Sequence, residues 1–290
     1  GAGDGPISVS IGDVNGDLNA DLVTANSNST TVSVLLGNGD GTFGTHADFT
    51  TGSAPYSVVI EDLNGNQTPD LAVANYNSAT VSVLLGNGDG TFGTRRNLET
   101  GDSPISIAMG DLNEDHISDL AVTNSQTATV SVLLGCGDGT FGTRRELETG
   151  QYPVSVAIDD VNGDCDLDLV VANGSSDNVS VLLGHGDGVF QARRDFATGV
   201  FPRSVVIRDL NRDHIPDLVT ANSAASSISV LLGKGNRTFA EKRDFGTGSS
   251  PVSVAAGDVN GDFIPDLAVA NGGSNTVSVN RSGFSGELIP

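Results

Sequence analysis

Residues 13–21 read DVNGDLNAD, and the stretch recurs as DLNGNQTPD at 62–70, DLNEDHISD at 111–119, DVNGDCDLD at 160–168, DLNRDHIPD at 209–217 and DVNGDFIPD at 258–266. Each copy starts 49 residues after the last, and the same step relates Pro6, Pro55, Pro104, Pro153, Pro202 and Pro251. Six copies in register make the chain a repeat array, with repeats at about 1–51, 52–100, 101–149, 150–198, 199–247 and 248–290.

Working outward from the acidic stretch, residues 7–12 (ISVSIG) and 21–26 (DLVTAN) predict strands on either side of it. A third strand is expected at 31–37 (TVSVLLG) and a poorer fourth near 46–51 (HADFTT), with turn material at 27–29 and in the GNGDG run at 37–41. Adjacent apolar residues such as Val34, Leu35 and Leu36 suit a sheet covered on both faces. Four short strands, two covered faces and a period between 40 and 50 residues predict an all-β, six-bladed β-propeller. Residues 1–290 then form a single domain of four-stranded antiparallel blades, with the acidic loop between strands one and two of each. In the last repeat NRSGF at 280–284 replaces the GNGDG turn, and a shortened fourth strand is expected at 284–290.

Composition agrees with strands and turns: hydrophobic residues make up 37%, glycine occupies 38 positions and tryptophan is absent. The formal charge of −22 argues against nucleic-acid partners and anionic lipid, and no apolar run is long enough for membrane insertion as a helix.

The acid is concentrated in the loops. Counting each loop from its first Asp, side-chain oxygens stand at positions one, three, five and nine in every copy. Calcium takes six to eight oxygen ligands, and alternate residues of a tight loop converge. The expected set is Asp13, Asn15, Asp17 and Asp21; Asp62, Asn64, Asn66 and Asp70; Asp111, Asn113, Asp115 and Asp119. It continues with Asp160, Asn162, Asp164 and Asp168; Asp209, Asn211, Asp213 and Asp217; Asp258, Asn260, Asp262 and Asp266. Position seven adds a backbone carbonyl, from Asn19, Thr68, Ile117, Asp166, Ile215 or Ile264. Turn propensity accounts for one or two such residues in a loop, not the same four positions six times. Up to six calcium ions are expected. The second site should be weak because Asn66 replaces a carboxylate, and the fifth because Arg208 and Arg212 lie beside it. Seventeen of the 36 acidic residues are then ligands, and six ions would offset twelve of the negative charges.

These loops, together with the pairs Phe43–Gly44, Phe92–Gly93 and Phe141–Gly142, resemble FG-GAP/VCBS repeats, the blades of integrin α-subunit propellers. The resemblance implies calcium between the first and second strands, an extracellular or cell-surface setting, and adhesion or ligand binding. Two departures stand out. Position six, often Gly in the family, is Leu18, Gln67, His116, Cys165, His214 or Phe263, and the pair decays to Phe190–Gln191, Phe239–Ala240 and Phe284–Ser285.

The four histidines, His46, His116, His185 and His214, form no repeated set with a nucleophile and read as turn residues. Cys136 and Cys165 lie in turns on the same face of successive repeats, which permits a disulfide without requiring one. Asn28 heads one of several Asn-x-Ser/Thr sequons. The repeats differ most in the turns opposite the acidic loops, where Tyr56, Tyr76, Tyr152, Phe201 and Arg203 form a candidate recognition patch for an extracellular protein or glycan. The expectation is a non-catalytic, calcium-stabilised binding module. A propeller lectin is the alternative, followed by a polysaccharide lyase-like enzyme and a purely structural repeat protein.

Overall fold

The computed structural model describes residues 1–282 and 288–289, all strand, turn or loop with no helix among them. The residues group into two compact units, Gly1–Leu147 and Glu148–Pro290.

The first unit holds three sheets. They are β1 (Pro6–Gly12), β2 (Asp21–Asn26), β3 (Thr31–Leu35) and β4 (Ala47–Thr50); β5 (Pro55–Glu61), β6 (Asp70–Asn75), β7 (Thr80–Leu84) and β8 (Arg96–Glu99); and β9 (Pro104–Gly110), β10 (Asp119–Asn124), β11 (Thr129–Leu133) and β12 (Arg145–Glu148). The second unit repeats the plan with β13 (Pro153–Asp159), β14 (Asp168–Asn173), β15 (Asn178–Leu182) and β16 (Arg194–Ala197), and with β17 (Pro202–Arg208), β18 (Asp217–Asn222), β19 (Ser227–Leu231) and β20 (Arg243–Gly246). Its last sheet is β21 (Pro251–Gly257), β22 (Asp266–Asn271), β23 (Thr276–Ser282) and β24 (Leu288–Ile289). Every sheet keeps its strands in chain order, and the paired strands run antiparallel. This is the blade unit the repeat predicts. The shortened fourth strand of the last repeat is the pairing of Leu288 and Ile289 with Ser282 and Arg281, while Phe284–Ser285 lies outside the described residues.

Within each unit the core lies between successive sheets. One cluster joins Val23, Val32 and Val34 of the first repeat to Val58, Leu71, Val73 and Phe92 of the second. The phenylalanine after the GNGDG turn reaches across to the preceding repeat: Phe92 meets Phe49 edge-on at 5.1 Å, and Phe239 meets Phe196 at the same distance. Val9 on β1 is 57% exposed, against 2% for Val58 at the same repeat position.

A buried polar network closes the end of each sheet away from the acidic loop. The last residue of the second strand is Asn in all six repeats, and its Nδ2 donates to the third-strand Ser, from Asn75 to Ser82 at 2.9 Å and from Asn124 to Ser131 at 2.8 Å. The same Ser oxygen accepts the N–H of the glycine that opens the repeat, Gly52 to Ser82 at 3.1 Å, and donates onward to the fourth strand, Ser82 to Asn97 at 2.9 Å. In the first and fifth repeats Thr24 and Thr220 donate to the Asn Oδ1 at 3.2 and 2.9 Å. Val73, Val122, Val171 and Val269 stand in that place elsewhere, and Oδ1 of Asn75, Asn124, Asn173 and Asn271 has no partner among the described residues.

A buried acceptor without a donor is costly. Val73→Thr should therefore leave the melting temperature unchanged or raise it. Val81→Thr, on the equally buried third strand, should destabilise by about 1–2 kcal/mol. Equal losses for both in thermal denaturation would contradict this role for the Thr.

Candidate functional site

Two aspartates with different tasks organise each acidic loop. The position-one carboxylate gathers the loop's own amides. The position-six N–H donates to its Oδ2 in all six loops, from Leu18 at 2.8 Å, Gln67 at 2.6 Å, His116 at 2.7 Å, Cys165 at 2.8 Å, His214 at 2.9 Å and Phe263 at 2.8 Å. Its Oδ1 takes the position-four N–H of Gly16, Gly65, Gly163, Arg212 and Gly261 at 2.7–2.8 Å. The chain wraps this tightly because positions four and six are both left-handed, with φ of 75° at Gly16 and 68° at Leu18, and 64° at Arg212 and 65° at His214. Position six has the backbone of glycine without being glycine. The position-five side chain then accepts the position-seven N–H, for example Asn19 to Asp17 at 2.8 Å and Thr68 to Asn66 at 2.7 Å. These amides hold Asp17 and Asp258 below the usual carboxylate range, through the N–H of Asn19 and of Phe263 respectively.

The position-nine aspartate faces the other way. Asp21, Asp70, Asp119, Asp168, Asp217 and Asp266 are fully buried at the start of the second strand. One oxygen accepts the position-two N–H, as from Leu63 to Asp70 at 2.9 Å and Leu112 to Asp119 at 2.8 Å. The other accepts the N–H of the glycine that opens the third-to-fourth-strand turn, from Gly37, Gly86, Gly135, Gly184 and Gly233 at 2.7–2.8 Å. That glycine has no room for a side chain, since a Cβ on Gly86 would lie 2.2 Å from the Pro69 carbonyl oxygen. Burial pushes Asp119, Asp168 and Asp217 up to about 6, against the pull of the two amides, and carboxylates at positions one and five add to the rise at Asp119 and Asp217.

The structure thus divides the expected ligand set. Positions one, three and five share the exposed side of the loop, where Asn15, Asn113 and Asn211 donate to Asp17, Asp115 and Asp213 at 3.0 Å. In the second and fourth loops Asn64 and Asn162 turn to the buried Asp70 and Asp168 instead, at 3.0 and 3.1 Å. Among the described residues no three Asp, Glu, His or Cys side chains gather into a ready-made metal cage. The donor chemistry still fits a hard cation, because every side chain at positions one, three, five and nine is a carboxylate or carboxamide. At position seven, Ile117 and Ile215 pack over the glycines of the third-to-fourth-strand turn.

The basic residues also differ from expectation. The Arg212 guanidinium donates to the Asp262 carbonyl of the sixth loop at 3.1 Å, and Arg237 stands 3.6 Å from Asp164 of the fourth. Cys136 and Cys165 are free, exposed thiols. His116 lies beside Asp111 at 3.7 Å and is exposed. On the opposite turns the candidate patch resolves into two pairs. Tyr56 stacks on Tyr76 in the first unit at 4.9 Å, Tyr152 meets Phe201 in the second at 5.8 Å, and Arg203 is exposed on β17.

Comparison with known families matches the description FG-GAP-like repeat over residues 13–73, 62–122, 115–171, 160–220 and 209–269. The chain belongs to the FG-GAP-like repeat family. Each FG-GAP-like match but the third begins on the position-one Asp of an acidic loop, and the match is to the repeat itself without distinguishing an integrin α-subunit type. Sequence comparison with curated proteins finds no match.

Solved structures share the fold at low identity. An Agrocybe aegerita lectin, described as recognising non-reducing terminal N-acetylglucosamine, is 19% identical with a TM-score of 0.67, over 97% of this chain and 78% of the lectin. A candidate 6-phosphogluconolactonase from Bacteroides fragilis is 16% identical with a TM-score of 0.75, over 98% of this chain and 82% of that one. Its counterpart from Bacteroides uniformis is 18% identical with a TM-score of 0.71, over 98% and 83%. These identities establish the fold alone. They also correct one expectation: the non-catalytic reading does not stand, because candidate lactonases carry this fold as well as a lectin. A missing His–nucleophile pair does not decide between them.

Three substitutions test the loop, all by thermal denaturation in chelator. Asp119→Asn leaves the Gly135 or Leu112 amide facing an NH2 group, at a cost of about 1–3 kcal/mol, whereas the exposed Asp115→Asn should cost less; equal losses contradict the buried role. Leu18→Gly removes a 93% exposed side chain from a left-handed backbone. It should be neutral or stabilise by up to about 1 kcal/mol, and a clear fall in melting temperature opposes that reading.

Proposed function

We propose that the chain is a calcium-stabilised β-propeller of six blades, acting outside the cell as a binding module for a protein or glycan recognised through the turns opposite the acidic loops. One observation carries the calcium reading. In all six loops the position-one carboxylate is wrapped by loop amides, with the oxygen-bearing position-five side chain on the same exposed side, and in the first, third and fifth loops the position-three Asn joins them.

An ion is held by those side chains together with the position-seven carbonyl, and the position-nine carboxylate supplies charge from beneath. The bound ion contributes counter-charge among the clustered carboxylates. The second loop, with Asn66, and the fifth, with Arg208 beside it in the chain, are the weakest sites, while Arg212 carries its charge to the sixth loop. Arg237 beside Asp164 adds a competing cation at the fourth. Millimolar calcium outside the cell suits sites of this modest charge, and that favours an extracellular or cell-surface location. The charge of −22 sets nucleic acid aside as a partner. No helix of the described residues is long and apolar enough to cross a membrane. Recognition is assigned to the opposite turns because they vary between repeats and carry the two aromatic pairs.

Thermal denaturation with calcium and with chelator tests the proposal. At a calcium concentration tenfold above Kd each site adds about 1.4 kcal/mol, so the melting temperature should rise by many degrees with calcium. An unchanged midpoint at millimolar calcium would sink the calcium reading. Asn66→Asp should strengthen the second site in a calorimetric titration, and unaltered affinity there would argue against the ligand assignment.

A further inference from the structure

The turns opposite the acidic loops carry a polar groove within the first unit. It has a volume of ≈410 Å³ and lies between Asn28 and Thr30 of the first repeat and Ser53, Ala54 and Asn77 of the second. Backbone hydrogen bonds fix its walls: Ala54 N–H to the Ser29 carbonyl at 3.0 Å, Tyr76 N–H to Ala54 at 2.8 Å and Asn77 N–H to Ser53 at 3.2 Å. The side chains are left over. The amides of Asn28 and Asn77 and the hydroxyls of Thr30 and Ser53 have no hydrogen-bond partner among the described residues. No charged side chain lines the groove. Tyr76, which adjoins Asn77 in the chain, stacks on Tyr56.

The second unit provides an internal comparison. Three repeats along, Ser53, Ala54 and Asn77 are replaced by Val200, Phe201 and Ala224. There the Phe201 ring packs against Tyr152 and over Gly174, where a Cβ would meet it at 3.4 Å. Aromatic carbon fills the place that amides and hydroxyls line in the first unit. Both residues are left-handed, with φ of 54° at Ala54 and 58° at Phe201, so the backbone there accepts either side chain.

We infer that the groove between the first two repeats binds a neutral sugar, one or two rings at the end of a glycan. The inference rests on the binding-module reading and names the site and ligand class within it. Uncharged amides and hydroxyls, able to donate and accept, match the hydroxyls of a pyranose. The volume holds one or two rings. An anionic sugar meets no basic side chain in the groove, and a lipid or apolar peptide meets no apolar floor.

The test is saturation-transfer-difference NMR on the full chain in calcium, made in a bacterial host so that Asn28 carries no glycan. The probes are the methyl glycosides of glucose, galactose, mannose and N-acetylglucosamine, at concentrations suited to weak, roughly millimolar binding. At least one should give a signal that weakens by about tenfold or more in Asn77→Ala and disappears in Ala54→Phe, which copies the second unit. Phe201→Ala should leave it unchanged. If Ala54→Phe fails to fold, the exposed Asn77→Ala still decides. No signal from any of the four glycosides, or a signal that survives both substitutions, overturns the assignment. Calcium stabilisation measured on the same sample reports separately on the wider reading, so a failed groove with intact calcium dependence leaves that reading standing.

Discussion

Each repeat is built around a carboxylate that water cannot reach. A buried ionised acid is tolerated only where hydrogen bonds replace its hydration. The position-nine Asp meets that demand with two backbone amides from segments about 23 residues apart, Leu63 and Gly86 in the case of Asp70. Three pieces of chain are thereby tied at one point: the mouth of the acidic loop, the start of the second strand and the opening of the third-to-fourth-strand turn. The glycine at that turn follows from the tie, because its amide must come so near the loop that a Cβ would overlap a carbonyl oxygen.

This arrangement frees the rest of the loop for another task. With position nine committed inward, positions one and five remain on the exposed side, held by amides that two left-handed residues turn toward the first Asp. The opposite end of each sheet is held by a separate device, the Asn–Ser network that also takes the glycine opening the repeat. Both ends of a sheet are pinned by buried polar groups and its faces by apolar packing. The turns beyond the Asn–Ser network can therefore change composition at small cost, which explains why an aromatic plug and an amide-lined groove occupy equivalent places in the two units.

Much of this was legible in the sequence, for reasons that can be stated. The 49-residue step, the alternating and doubled apolar residues and the GNGDG turns are local signals, and they located all four strands of the repeat to within a residue or two. The direction in which Asp21 and its equivalents point was not legible. Spacing counts oxygens along a loop and does not tell whether a carboxylate turns outward or beneath it. The signal available was the glycine sixteen residues downstream, which recurs with the Asp in the first five repeats. The left-handed backbone at position six was likewise hidden, since Leu18, Cys165 and Phe263 give no hint of it. Long-range polar ties such as Asn75 with Ser82 are invisible to propensity because both residues read as turn formers. The destination of Arg212 and the separation of the aromatics into two pairs depend on packing between repeats, which no single repeat encodes.

The position-nine carboxylate, and not the turn geometry alone, holds the two loops together. Native-state hydrogen exchange of the Leu63 and Gly86 amides in chelator tests it most directly. Both donate to Asp70 and should exchange as slowly as the amides of β6. Exchange as fast as at the nearby turn residue Gly88 would contradict the account.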